Sequence, residues 1–200
     1  DPKKDEKTGI TISFKGKPSS HGSKNSDKCV IPGMKNAKDL YPMLQRGGYF
    51  KVTPGNPERY GHPRLADVLL QAAKATGETG KGVPIVNNIS LERGGPIGPS
   101  TSHQVGLDVD CSYYFRNGSK WRDANKNFKH FSLKNNIIFM YMLTKDRRVQ
   151  VIYTSQDLMN KITSRMEKLK KSNPNAKLPN LWDLALKTEK LKHEPKHADH

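Results

Sequence analysis

The chain has 200 residues, with 35 Lys and Arg against 19 Asp and Glu and a formal net charge of +16. Hydrophobic residues make up 34% and mean hydropathy is -0.80, which fits one domain with a modest core and long polar segments and falls short of a wholly disordered chain. No run of about 18 apolar residues occurs, so no transmembrane helix is expected, and Cys29 and Cys111 show no CxxC spacing, which argues against a cysteine-based metal site.

The opening "DPKKDEKTG" carries no apolar signal core, so either the protein is intracellular or a signal segment has been removed. Residues 1–28 are expected to form a flexible basic segment, with "GITISF" at 9–14 as an edge strand and 18–28 as a loop. The rest, 29–200, is expected to form a single domain. Pro54, Gly55 and Pro57 mark a turn. A helix is predicted from Pro63, with Leu65, Val68, Leu69, Ala72 and Ala73 on one face and Gly77 as its stop. "GETGKG" at 77–82 lacks the spacing of a phosphate-cradling loop. Residues 83–92 have strand character, and a Gly/Pro/Ser loop covers 93–102.

"GLDVDCSYYF" then alternates, with Leu107, Val109 and Cys111 on one face and Asp108, Asp110 and Ser112 on the other. A helix is predicted over 132–143, although Asn135 and Asn136 are poor helix formers. A strand follows over 147–155, with Val149, Val151 and Tyr153 sharing a face. Ser155 suits the cap of a further helix reaching about residue 171, with Leu158, Ile162, Met166 and Leu169 as its stripe. "SNPNAKLPN" ends it, and a short amphipathic helix over 181–191 precedes a histidine-rich end. The order mixes helix and strand without regular βαβ alternation, so the expected class is α+β, a small antiparallel sheet flanked by helices.

The chemistry concentrates in "SHQVGLDVD" at 102–110 and "HEPKHADH" at 193–200. Catalytic zinc takes three protein donors and leaves a fourth position open, and imidazole and carboxylate are suitable donors. His103 and Asp110 stand seven residues apart, too far for an extended segment, so a turn must bring them together, and Gly106 sits where backbone freedom helps. A simple hydrogen-bonded His–Asp pair is the plainer reading of that spacing. His62 is expected to bind a backbone group at its helix start, His130 to be structural or exposed, and His193 to lie at the end of the last helix. Tyr113, Tyr114, Phe115 and Trp121 fit either a groove wall or, more commonly, core. Cys29 and Cys111 are consistent with one disulfide or with two unpaired thiols.

"RGGPIGPSTSHQVGLDVD" (93–110), "GGYFKVTPGNPERYGHPRL" (47–65) and the terminal "HADH" resemble the penicillin-insensitive murein endopeptidases, a branch of the lysostaphin, D-Ala-D-Ala metallopeptidase and hedgehog-type group. The resemblance implies a fold of that type and a Zn2+ site held by His103, Asp110 and the last His of a later H-x-x-H-x-H. His197 and His200 match the first two histidines of that motif. The third would fall two residues past His200, where the sequence stops; truncation before that ligand is expected, with substitution by His200 or impaired zinc binding as the alternatives. His200 and His197 are implied as the catalytic imidazoles, and Arg93 and Ser102 as substrate-binding residues, with a plain loop cation as the alternative for Arg93. Ser100 departs from members that carry another histidine there. Asp108 is expected to support Asp110 or to face solvent.

The implied activity is zinc-dependent hydrolysis of peptide cross-links between D-alanine and a diamino acid in bacterial peptidoglycan, by a periplasmic or secreted protein. The positive charge suits an anionic wall polymer. The alternative is a non-catalytic basic module, binding the wall or nucleic acid, with a degenerate metal site. Lys168, Lys170 and Lys171 are a usual solvated face, and no nucleic-acid-binding signature accompanies them, so nucleic acid is not the expected partner.

Overall fold

The computed structural model describes residues 10–14, 41–42, 48–52, 59–86, 88–91, 106–116 and 124–193. In chain order these form β1 (Ile10–Phe14), β2 (Tyr41–Pro42), β3 (Lys51–Val52), β4 (Tyr60–Gly61), α1 (Pro63–Thr76), β5 (Ile85–Val86), β6 (Asp108–Cys111), α2 (Leu133–Lys145), β7 (Val149–Thr154), α3 (Gln156–Ser172), α4 (Lys177–Lys187) and β8 (Leu191–His193). The class is α+β. The main sheet has the order β3-β5-β6-β1-β7-β8, and β2 pairs with β4 in a small second sheet. The four inner strands are antiparallel to one another, while β3 runs parallel to β5 at one edge and β8 parallel to β7 at the other.

α1 begins and ends where the sequence says it should. His62 caps it, its Nδ1 accepting the Arg64 amide at 3.0 Å, and Pro63 follows at the first helical position. Gly77 closes it in the left-handed region at φ 70. Its stripe of Leu65, Val68, Leu69, Ala72 and Ala73 is buried, and α1 packs on α2. α2 lies on β7 and is flanked on its other side by α4, which also meets α3. Trp182 of α4 is fully buried, and its indole N–H donates to Thr163 Oγ1 of α3 at 3.0 Å.

The two asparagines that count against α2 as a helix have specific work. Asn136 is fully buried; its Oδ1 accepts the Tyr114 amide at 2.9 Å and its Nδ2 donates to the Tyr114 and Ser132 carbonyls at 2.8 and 2.9 Å. Asn135 donates to the Glu78 carboxylate at 3.1 Å. Tertiary partners outweigh a weak propensity of a few tenths of a kcal/mol. Tyr113, Tyr114 and Phe115 are core residues, with Tyr113 and Phe115 ring-packed on Phe131 and Tyr114 on Phe139. Trp121 lies outside the described residues.

Four expectations change. β1, expected at an edge, sits between β6 and β7 in the middle of the sheet. The predicted strand over 83–92 is only the two residues of β5, followed by a bridge from Ser90 to Arg59. On β7 the buried residues are Val149, Ile152 and Thr154, because the register with β1 slips between Ser13 and Phe14 and reverses the side of Val149 relative to Val151 and Tyr153. The last helix starts earlier, at Lys177, since Pro179 is tolerated in a first turn, and it ends at Lys187. His193 is therefore not on a helix: it ends strand β8, and its Nδ1 accepts the Gln156 amide at 3.3 Å. The turn at residues 54–57 and the loop at 18–28 lie outside the described residues.

Candidate metal centre

β6 carries the described part of the predicted site. Its alternation is as the sequence implies: Leu107, Val109 and Cys111 are buried, and Asp108 and Asp110 are half-buried on the opposite face. The turn into β6 is held from α1. Gly106, at φ 69, has the left-handed backbone that a side chain would strain, and its carbonyl accepts the His62 amide at 2.9 Å. One residue thus caps α1 with its side chain and anchors the entry to β6 with its backbone. The Asp110 amide donates to the Asn88 carbonyl at 2.9 Å, and the Ser112 amide to that of Ile85 at 2.9 Å. Asp110 is also paired with Thr11 of β1. Its Cα–Cβ direction is fixed by backbone on both sides and by the buried neighbours that alternate with it.

Following the register across the sheet from Asp110 gives a row. Asp110 pairs with Thr11, Thr11 with Tyr153, and Tyr153 with Lys192. Paired residues share a face, and the burial agrees: Tyr153 is half-buried and Lys192 exposed, while Ile152 and Leu191, one position earlier, belong to the core. Asp110, Tyr153 and Lys192 therefore belong to the face opposite the one on which α2 packs.

The buried face has its own chemistry. Cys111 is a free thiol, and burial, with the Asp110 charge adding to it, pushes its pKa far above the ordinary thiol range. Burial likewise raises Tyr113 well above an ordinary phenol, against a hydrogen bond with Thr154 Oγ1 that acts the other way. Neither group is an available nucleophile.

His103, Arg93, Ser102, His197 and His200 lie outside the described residues, as does Cys29. Among the described residues, no three or more His, Cys, Asp and Glu gather as a metal site. His62 binds backbone, as the sequence suggests. What sequence reasoning missed is the row itself. The alternation of 149–154 offers Tyr153 as an outward residue, but nothing local signals that Lys192 belongs to a strand.

A family model of the penicillin-insensitive murein endopeptidases matches residues 34–171, well over half of the chain. The chain belongs to this family. The matched segment includes both His103 and Asp110 as well as α1, β6, α2, β7 and all but the last residue of α3; α4, β8 and the terminal histidines follow it. No curated protein matches the chain. As a murein endopeptidase the protein is a hydrolase acting on the peptides of cell-wall peptidoglycan. No helix among the described residues is long and apolar enough to cross a membrane.

Proposed function

We propose that this murein endopeptidase is zinc-dependent and hydrolyses the amide joining D-alanine to a diamino acid in peptidoglycan cross-links, outside the cytoplasm, in the periplasm or after secretion. The domain that does so comprises residues 29–200 together with β1 (Ile10–Phe14), which lies in the middle of its sheet. His103 and Asp110 would hold the metal, with His200, or a residue beyond it in the family's pattern, as the third donor. The donor chemistry fits: imidazole and carboxylate are what Zn2+ takes, and a half-buried carboxylate with a fixed backbone has little freedom to lose on binding.

The observation that carries this reading is the position of Asp110 in its row. Three inter-strand steps, about 14 Å, separate it from Lys192. The four residues from His193 to His197 span up to about 14 Å when extended, so the terminal histidines have the reach to approach Asp110.

Bound zinc supplies Lewis acidity and lowers the pKa of its water toward about 7. The chain's own groups do the rest. With a residue beyond it as the third donor, His200 would be left to take the proton of the attacking water and return it to the departing amine. His197 holds positive charge beside the forming oxyanion. Arg93 pairs with a substrate carboxylate or with that oxyanion, and the Ser102 hydroxyl donates to the substrate.

Metal analysis with a cleavage assay tests this. The expected result is one zinc per chain, EDTA-sensitive cleavage of cross-linked muropeptides, and loss of both on His103→Ala, while His62→Ala keeps its zinc and loses only about 1 kcal/mol of stability with its helix cap. Full zinc in His103→Ala would overturn the ligand assignment. A zinc-free protein whose only activity is salt-sensitive binding would support the non-catalytic module instead.

A further inference from the structure

We infer that His193 is a positioning residue: its imidazole fixes the end of β8 on the first turn of α3, and so sets the point from which the chain leaves the sheet toward His197 and His200. This rests on the reading that those terminal histidines act at the Asp110 centre.

β8 is a three-residue strand at the edge of the sheet, with a partner on one side only. It lies parallel to β7, with Ile152 opposite Leu191, Tyr153 opposite Lys192 and Thr154 opposite His193. A strand this short makes few ladder bonds, and chain ends stay ordered only where something ties them down. Both ends of β8 are tied. At its entry the Lys190 carbonyl accepts the Ile152 amide at 2.8 Å, and the Lys190 ammonium donates to the Asp146 carbonyl at 2.6 Å. At its exit His193 Nδ1 accepts the Gln156 amide at 3.3 Å.

That amide belongs to the first residue of α3, so it has no partner within the helix. The local cap does not serve it. Ser155 Oγ accepts the Leu158 amide at 3.4 Å and the Asn125 side-chain amide at 2.8 Å. Two acceptors thus divide the first turn: a neighbouring hydroxyl for Leu158, and an imidazole 37 residues along the chain for Gln156. Accepting at Nδ1 places the neutral imidazole's proton on Nε2.

The link onward is short. Glu194, Pro195 and Lys196 alone separate His193 from His197. A proline ring fixes one backbone torsion and restricts those of the residue before it, so a shift at His193 meets few joints that could absorb it. Misplacing a reacting group by about 1 Å can cost on the order of 100-fold in rate.

The test compares wild type with His193→Ala and His193→Asn. Asparagine keeps an acceptor, its Oδ1, one bond from Cγ as Nδ1 is in histidine; alanine has none. On cross-linked muropeptides His193→Ala should lower kcat about tenfold or more, with KM within about twofold. Thermal melting should barely move, because one exposed hydrogen bond adds little to global stability. His193→Asn should recover most of the lost kcat. An unchanged kcat in His193→Ala, or an equal loss in His193→Asn, would overturn the inference. A second measurement needs neither zinc nor substrate: amide hydrogen exchange after EDTA treatment. In His193→Ala the Gln156 amide and those of β8 should exchange about fivefold faster than in wild type, and His193→Asn should restore their protection. Unchanged exchange in His193→Ala refutes the inference. If wild type cleaves no muropeptide, the proposed peptidase chemistry fails by itself, and the exchange measurement still decides whether His193 holds β8 on α3.

Discussion

The two faces of the main sheet are made by the same strands and do opposite things. On one face Val109, Cys111, Ile152 and Thr154 are buried beneath α2 and its neighbours. On the other, one residue along in each strand, stand Asp108, Asp110 and Tyr153, all half-buried, with Lys192 exposed on β8. The comparison teaches how closely the core and the proposed chemistry can be interleaved, at single-residue spacing. A strand that alternates strictly lets a rigid core aim a carboxylate without that carboxylate entering the core.

The sharpest way to break that comparison is to exchange roles on β6. If Asp110 is the ligand proposed, Asp110→Ala should reduce hydrolysis at least about 10^3-fold, the loss expected when a metal worth several kcal/mol of charge stabilisation is no longer held, while circular dichroism and thermal melting stay near wild type. Val109→Asp, one residue away, should prevent folding, because it buries an unpaired charge. An Asp110→Ala protein that unfolds would mean the outer face is structural after all.

A smaller effect is expected on β7. Ile152→Ala should cost about 2–5 kcal/mol in denaturant unfolding, as a fully buried side chain leaves a cavity, yet leave kcat/KM per folded molecule within about twofold. A large loss of activity at full folding would show that the two faces are coupled.

The pH dependence separates the faces next. Cys111 is held protonated by burial, whereas in the unfolded chain it ionises near pH 8.5. Its contribution to stability is complete below that pH and declines as pH rises above it. Urea midpoints measured from pH 7 to 10 should fall for wild type and fall less steeply for Cys111→Ala. Parallel curves would contradict the buried-thiol assignment.

The smallest effect concerns the turn that leads into β7. The Arg148 guanidinium hydrogen-bonds to Asp146 and holds its carboxyl below the usual range. That contribution is present above about pH 4 and disappears as pH falls through the lowered value. With Asp146 and Arg148 both partly exposed, Asp146→Asn should cost no more than about 1 kcal/mol at neutral pH, and the difference from wild type in melting temperature should close in acid.

The described part of the candidate site, on β6, was legible because it is written in local periodicity. The period-2 run at 107–112 puts Asp110 outward without knowledge of any partner strand, and Gly106 marks the turn before it, which has φ 69 in the structure. His62 followed by Pro63 reads as a cap from the residues alone. Less legible was anything that depends on a distant partner. Asn136 looks like a flaw in α2 until its three bonds to Tyr114 and Ser132 are seen. The 181–191 stripe of apolar residues looks helical to its end, but Glu189, at φ 57, breaks the chain direction, and Leu191 goes to β7 instead.

The sequence by itself determined the helices α1 and α3, the alternation of β6, the outward direction of Asp110 and the family to which the chain belongs. These depend on caps, stripes and motifs spaced within a few residues of each other. Only the tertiary structure decided that β1 lies at the centre of the sheet, that β7 slips register at Val149, and that Lys192 stands in the same row as Asp110. Strand order and register are set by hydrogen bonds between segments as far as a hundred or more residues apart, joining residue 11 to 110 and to 153, and no local pattern specifies which strands meet.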